Sequence, residues 1–95
     1  MEFTANGTTA TSTMVYWNEP SERNGYITNY TVLWYSQHYP YTNMTEFNND
    51  VFMYNITTLN PFITYYIGVY ANTSKGAGDY DTQMITTLQA GKSIM

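Results

Sequence analysis

The chain has 95 residues, room for one domain with a modest core. Three Lys and Arg against seven Asp and Glu leave a net charge of −4, which argues against nucleic acid or an anionic membrane as partner, since both need a basic patch. Charged residues make up 11% of the chain and aromatics 18%, with 11 tyrosines, the reverse of a disordered tail; with no Cys there is no disulfide framework, thiolate metal site or Cys nucleophile.

At the N-terminus, Met1-Glu2-Phe3-Thr4 lacks the basic segment and apolar stretch of a signal peptide. Residues 1–3 read as residues added for expression, although Phe3 also opens the first strand-like run. No apolar run approaches the ~18 residues of a membrane span. The expectation is a domain cut from a longer protein, with any targeting or anchoring segment elsewhere.

In chain order the elements are strands. The runs at 3–8, 13–17, 26–35, 43–47, 51–58, 63–72 and 81–87 are rich in Thr, Tyr, Val, Ile, Phe and Trp, which suit a pleated, half-buried surface. Turn residues separate them: Asn18-Glu19-Pro20-Ser21 with Asn24-Gly25, His38-Tyr39-Pro40-Tyr41, Asn48-Asn49-Asp50, Asn60-Pro61, and the Gly-rich stretch at 74–79. Residues 89–95, with Ala90-Gly91-Lys92-Ser93, read as a linker toward a following domain, leaving 4–88 as the domain. Seven short strands with regularly spaced turns predict an all-β sandwich.

Alternation assigns the faces. Tyr65, Ile67, Val69 and Ala71 share one side of the sixth strand, and Tyr66, Gly68, Tyr70 and Asn72 the other. Tyr30, Val32 and Trp34 lie opposite Asn29, Thr31, Leu33 and Tyr35 on the third. A core centred on Trp17 and flanked by Tyr65 and Trp34 is expected.

These residues carry a family resemblance. Thr13-Met14-Val15-Tyr16-Trp17 followed by Pro20, the Gly-x-Ile-x-x-Tyr-x-Val pattern of residues 25–32, and Leu59-Asn60-Pro61-Phe62-Ile63-Thr64-Tyr65 stand in order at the right spacing. The chain resembles a fibronectin type III domain over nearly its whole length. Trp34 stands where a Tyr is commoner, and Ile63 where the family usually has Thr. The resemblance implies a seven-stranded immunoglobulin-like β-sandwich, with Tyr65 as the corner tyrosine whose hydroxyl returns to backbone near the preceding turn. It also implies a non-catalytic spacer and protein-binding module, in tandem with neighbouring domains of a larger receptor or adhesion protein. The alternative is a regulatory ectodomain module of a receptor enzyme, such as a tyrosine phosphatase, whose catalytic domain lies elsewhere in the full chain.

Compartment needs separate support, because some members of this family are intracellular. Asn-x-Ser/Thr acceptors for N-linked glycans occur at Asn6, Asn29, Asn43, Asn55 and Asn72, and parity turns Asn29, Asn55 and Asn72 outward. An extracellular location, at the surface of a membrane-anchored protein or secreted, follows as the expectation.

Catalytic and metal-binding groups are sparse. His38 is the single His and has no acid beside it in sequence. Gly91-Lys92-Ser93 ends like a phosphate loop, but Thr86 stands where the first Gly is required. Asp79 and Asp81 fall short of the 6–8 oxygens of a calcium site. No cofactor or small-molecule substrate is expected. The remaining candidate is a partner surface, Leu33, Tyr35, Tyr66 and Tyr70, on an outward face where the family commonly carries charge. Tyrosine offers large contact area at low entropic cost. Cross-strand pairing that merely stabilises the sheet is the competing account of the same residues.

Overall fold

The computed structural model describes residues 1–20, 25–38 and 41–89. The turn residues Ser21, Asn24, Tyr39 and Pro40 and the linker residues 90–95 lie outside that set. All elements among the described residues are strands: β1 (Phe3–Asn6), β2 (Thr13–Trp17), β3 (Ile27–Ser36), β4 (Asn43–Asn48), β5 (Met53–Ile56), β6 (Thr64–Thr73), β7 (Gly76–Ala77) and β8 (Thr82–Thr86).

They form two sheets. One has the order β1-β2-β5; in the other β4-β3-β6 is extended on the free edge of β6 by β7 and β8. Every pairing is antiparallel. The result is an all-β sandwich. Its last strand arrives in two pieces. Between Ala77, opposite Asn72, and Thr82, opposite Gly68, residues 78–81 run against residues 69–71. That one-residue excess is a bulge, a common device at sheet edges. The Gly-rich stretch expected to be loop therefore contributes a short strand.

The inward faces supply the core. Val15, Tyr30, Val32, Ile56, Ile67 and Val69 are completely buried, joined by Phe3, Trp17, Leu59, Tyr65 and Ala71. Phe3 belongs to the fold: it is buried and lies opposite Trp17 in β1–β2. Trp17 is buried as expected, but its ring neighbours are Tyr30 and Phe47, each 5.9 Å away between centroids. Trp34 packs instead on Tyr54 at 6.0 Å. Strand direction explains the difference. The chain turns back after Trp17, so the end of β2 meets the start of β3, near Tyr30, while Trp34 and Tyr65 lie at the far end.

At that far end the Tyr65 hydroxyl accepts a hydrogen bond from the Asn60 N–H at 2.8 Å, the corner anticipated from sequence. The Thr87 hydroxyl accepts from the Ile63 N–H at 2.9 Å and donates to the Asn60 carbonyl at 2.6 Å. A buried threonine from the last strand's exit thus serves the turn in which Ile63 has no hydroxyl of its own. Two non-glycine residues adopt left-handed backbone there, Thr58 at φ 60° and Phe62 at φ 57°. The Leu88 N–H donates to the Thr9 carbonyl, so the chain leaves beside the first turn, while it enters beside Trp17. Entry and exit lie at opposite ends.

Candidate functional site

Pairing fixes the outer face of the larger sheet row by row. The first row sets Asn48, Asn29 and Asn72 across β4, β3 and β6; the second sets Glu46, Thr31 and Tyr70. The third is Met44, Leu33, Gly68 and Thr82; the fourth brings Tyr35 beside Tyr66 and Met84. The four residues singled out from sequence thus share one face of the central strand pair.

Their surroundings differ. The Tyr35 and Tyr66 rings stack at 5.3 Å with 23° between planes, and the Gln37 amide donates to the Tyr66 hydroxyl at 2.9 Å. Tyr70 stacks on Tyr80 at 5.2 Å and 24°. Leu33 is only 5% exposed and supports the face from below rather than offering contact area. Met44 and Met84 flank the tyrosines at 56% and 65% exposure. The face is therefore a strip of two stacked tyrosine pairs bordered by flexible, polarisable thioethers, which adapt well to a partner.

In sequence Tyr80 falls between the Gly-rich stretch at 74–79 and the strand-like run at 81–87 and belongs to neither. The edge bulge returns it to the sheet, where its ring lies over Gly68. A Cβ at Gly68 would come within 2.7 Å of the Tyr80 ring and 3.4 Å of Leu33. The available signal was Gly68 itself, because a glycine inside a strong strand marks close approach by another group. Met44 and Met84 escaped because their face depends on register with neighbouring strands.

The five glycan acceptors occupy different settings. Asn6 ends β1, exposed, its Oδ1 accepting from the Gly7 N–H at 2.7 Å. Asn55 is exposed opposite Met14, on the outer face of the smaller sheet. Asn43, also exposed, borders an open cleft of about 340 Å³ lined by Trp34, Tyr41, Leu59 and Tyr65. Asn29 and Asn72 are half-buried and directly opposite one another. The Asn72 Nδ2 donates to Thr31 Oγ1 at 2.9 Å, and Asn29 Oδ1 accepts from the Thr28 hydroxyl at 3.1 Å.

His38 is exposed just beyond β3, and Asp79 and Asp81 are exposed on either side of Tyr80. Among the described residues, no three His, Asp or Glu side chains come together as metal ligands would.

Residues 1–87 match the model of the family described as Fibronectin type III domain. The chain belongs to the fibronectin type III family. It is 37% identical over 78 residues to Protein sidekick-2 of Mus musculus, a match covering 81% of this chain and 4% of that protein. It is 42% identical over 82 residues to Receptor-type tyrosine-protein phosphatase F of Mus musculus, covering 76% of this chain and 4% of that one. The chain thus spans about 4% of the length of these relatives. Among solved structures, the fn3 domain of human contactin 1 superposes with a TM-score of 0.82 at 20% identity, over 99% of this chain and 80% of that one. The FN5 domain of Drosophila Lar gives 0.73 at 25% identity over 94% of each. Fibronectin type III domains are typically non-catalytic modules.

Proposed function

We propose that this fibronectin type III domain is an extracellular, non-catalytic spacer and protein-binding module of a larger cell-surface receptor or adhesion protein. The observation that carries the reading is the outer face of the β3–β6 pair. Stacked Tyr35 and Tyr66, with Met44 and Met84 beside them, form an adaptable aromatic surface on a rigid sheet. Chain entry and exit at opposite ends suit a rod of tandem domains that spaces such surfaces. The partner is a protein, either a neighbouring domain or an extracellular ligand. Acceptors at Asn6, Asn43 and Asn55, all exposed, fit passage through the secretory pathway, and the full protein is then anchored in the membrane or secreted.

The test uses the full ectodomain with Tyr35→Ser and Tyr66→Ser together. Binding of the labelled ectodomain to ectodomain-coated beads and to cell surfaces should fall tenfold or more while the urea melt stays cooperative. Unchanged binding by the folded double variant leaves the tyrosines a purely structural role.

The 42% identity to a receptor-type phosphatase favours a second reading, in which the module serves a receptor enzyme. In that case the full-length protein hydrolyses phosphotyrosine and the isolated domain does not.

A further inference from the structure

On the outer face of β6, Asn72 follows Tyr70 by two residues, so the two side chains point the same way about 7 Å apart along the strand. Tyr80 lies over Gly68, two residues before Tyr70, and is nearly parallel to the Tyr70 ring. Tyr80 therefore covers the Gly68 side of that ring. The opposite ring face looks toward Asn72.

The Asn72 amide leans the same way. Its Nδ2 donates to Thr31 Oγ1 at 2.9 Å, and Thr31 stands directly opposite Tyr70. Thr31 is fully buried, a fixed anchor. Asn72-Thr73-Ser74 is an N-glycosylation acceptor, and Nδ2 is the atom that takes the sugar. The acceptor atom is thus held in the row of an aromatic ring whose stacking partner, Tyr80, lies on the Gly68 side.

We infer that Asn72 carries an N-linked glycan whose first N-acetylglucosamine packs flat on Tyr70, continuing the Tyr80–Tyr70 stack by one member. In the transfer, Nδ2 attacks C1 of the first sugar of an oligosaccharide linked to a lipid diphosphate. The N–C1 bond forms, the C1–O bond to the diphosphate breaks, and one amide proton is lost to the transferase base as the lipid diphosphate leaves. The second N–H remains to hold Thr31. The apolar face of the sugar presents C–H groups to the electron-rich face of the ring, the geometry aromatic quadrupoles favour. The inference rests on the extracellular reading. It also divides the tyrosine face: the Tyr70–Tyr80 half belongs to the domain's own glycan, and the Tyr35–Tyr66 half stays open to a protein.

The test uses the chain secreted from eukaryotic cells, with glycopeptide mass spectrometry to read each acceptor. Endoglycosidase trimming leaves one sugar at each occupied site. Thermal midpoints are compared with those of Ser74→Ala, which abolishes the acceptor and leaves Asn72 in place. With Tyr70 present, the single sugar should raise the midpoint by roughly 4–8 °C. In a Tyr70→Val background the rise should shrink below about 1 °C. An equal rise in both backgrounds overturns the stacking. A bare Asn72 with other acceptors occupied overturns this inference and leaves the extracellular reading standing; a chain bare at every site overturns both. NMR of the trimmed, otherwise unmutated protein is an independent readout. Ring-current shifts upfield of the Asn72 sugar protons support the contact, and unshifted resonances reject it.

Discussion

The two faces of the β3–β6 pair are equally aromatic and hold their aromatics for different reasons. On the inner face Tyr30, Val32, Ile67 and Val69 have no solvent exposure, and their removal from water is worth about 1.5–3 kcal/mol for each large side chain. On the outer face the rings of Tyr35, Tyr66, Tyr70 and Tyr80 lean on one another and remain partly wet. Such pairs contribute about 0.2–1 kcal/mol each. Parity tells the faces apart but says nothing about magnitude. Magnitude comes from what covers each face: a second sheet on one side, and on the other only the side chains themselves. A surface so weakly committed to stability is free to be used for contact.

The largest effect expected is on the inner side. Trp17→Ala should cost about 3–5 kcal/mol, the range for a buried large aromatic, because its ring is held by both Tyr30 and Phe47. Urea unfolding measures it. A midpoint shift near zero would remove the distinction between the faces altogether.

A sharper version uses adjacent residues. Tyr65 and Tyr66 follow one another in β6 and point to opposite faces. Tyr65→Phe takes away the acceptor of the Asn60 N–H in a tight, partly buried turn, at a cost of about 1–2 kcal/mol. Tyr66→Phe loses only an exposed bond from Gln37, which water replaces, so the cost should stay below about 0.5 kcal/mol. Equal losses in paired urea melts would mean that the two hydroxyls are in equivalent environments.

Much of this was legible in the sequence. Alternation in 63–72 assigns the faces without help, since a period of two admits only two answers, and the family resemblance carried by Leu59-x-Pro61 through Tyr65 implies the corner. What escaped depends on pairing that residue type alone does not signal. Gly76 and Ala77 carry no strand signal and pair with Thr73 and Asn72 across the tight turn at Ser74-Lys75, on the edge of β6. Tyr80 reaches the sheet through a bulge whose single extra residue no composition reveals. Phe62, 70% exposed at φ 57°, occupies a backbone region where side chains are disfavoured, held by its N–H bond to the Leu88 carbonyl. The lean of Asn72 toward Thr31 requires the β3–β6 register, which fixes which rows meet.

The smallest effect tests the outer face at its most crowded point. Gly68 has an ordinary strand backbone, so alanine there is conformationally favourable, and relief of glycine's entropic cost is worth about 0.5–1 kcal/mol. Against that gain, the new Cβ would lie 2.7 Å from the Tyr80 ring, which must leave its seat. The Tyr70–Tyr80 stack, worth about 0.2–1 kcal/mol like its neighbour, is lost with it. The terms oppose, and Gly68→Ala should change stability by less than about 0.5 kcal/mol while freeing Tyr80. Urea unfolding reads the first quantity; the Tyr80 ring resonances, shifted by Tyr70 in the stack, read the second. An unmoved Tyr80 would place the ring elsewhere than over Gly68. A loss above about 2 kcal/mol would make Tyr80 a structural element in its own right. The outer face would then be held as firmly as the inner one, with little left to offer a partner.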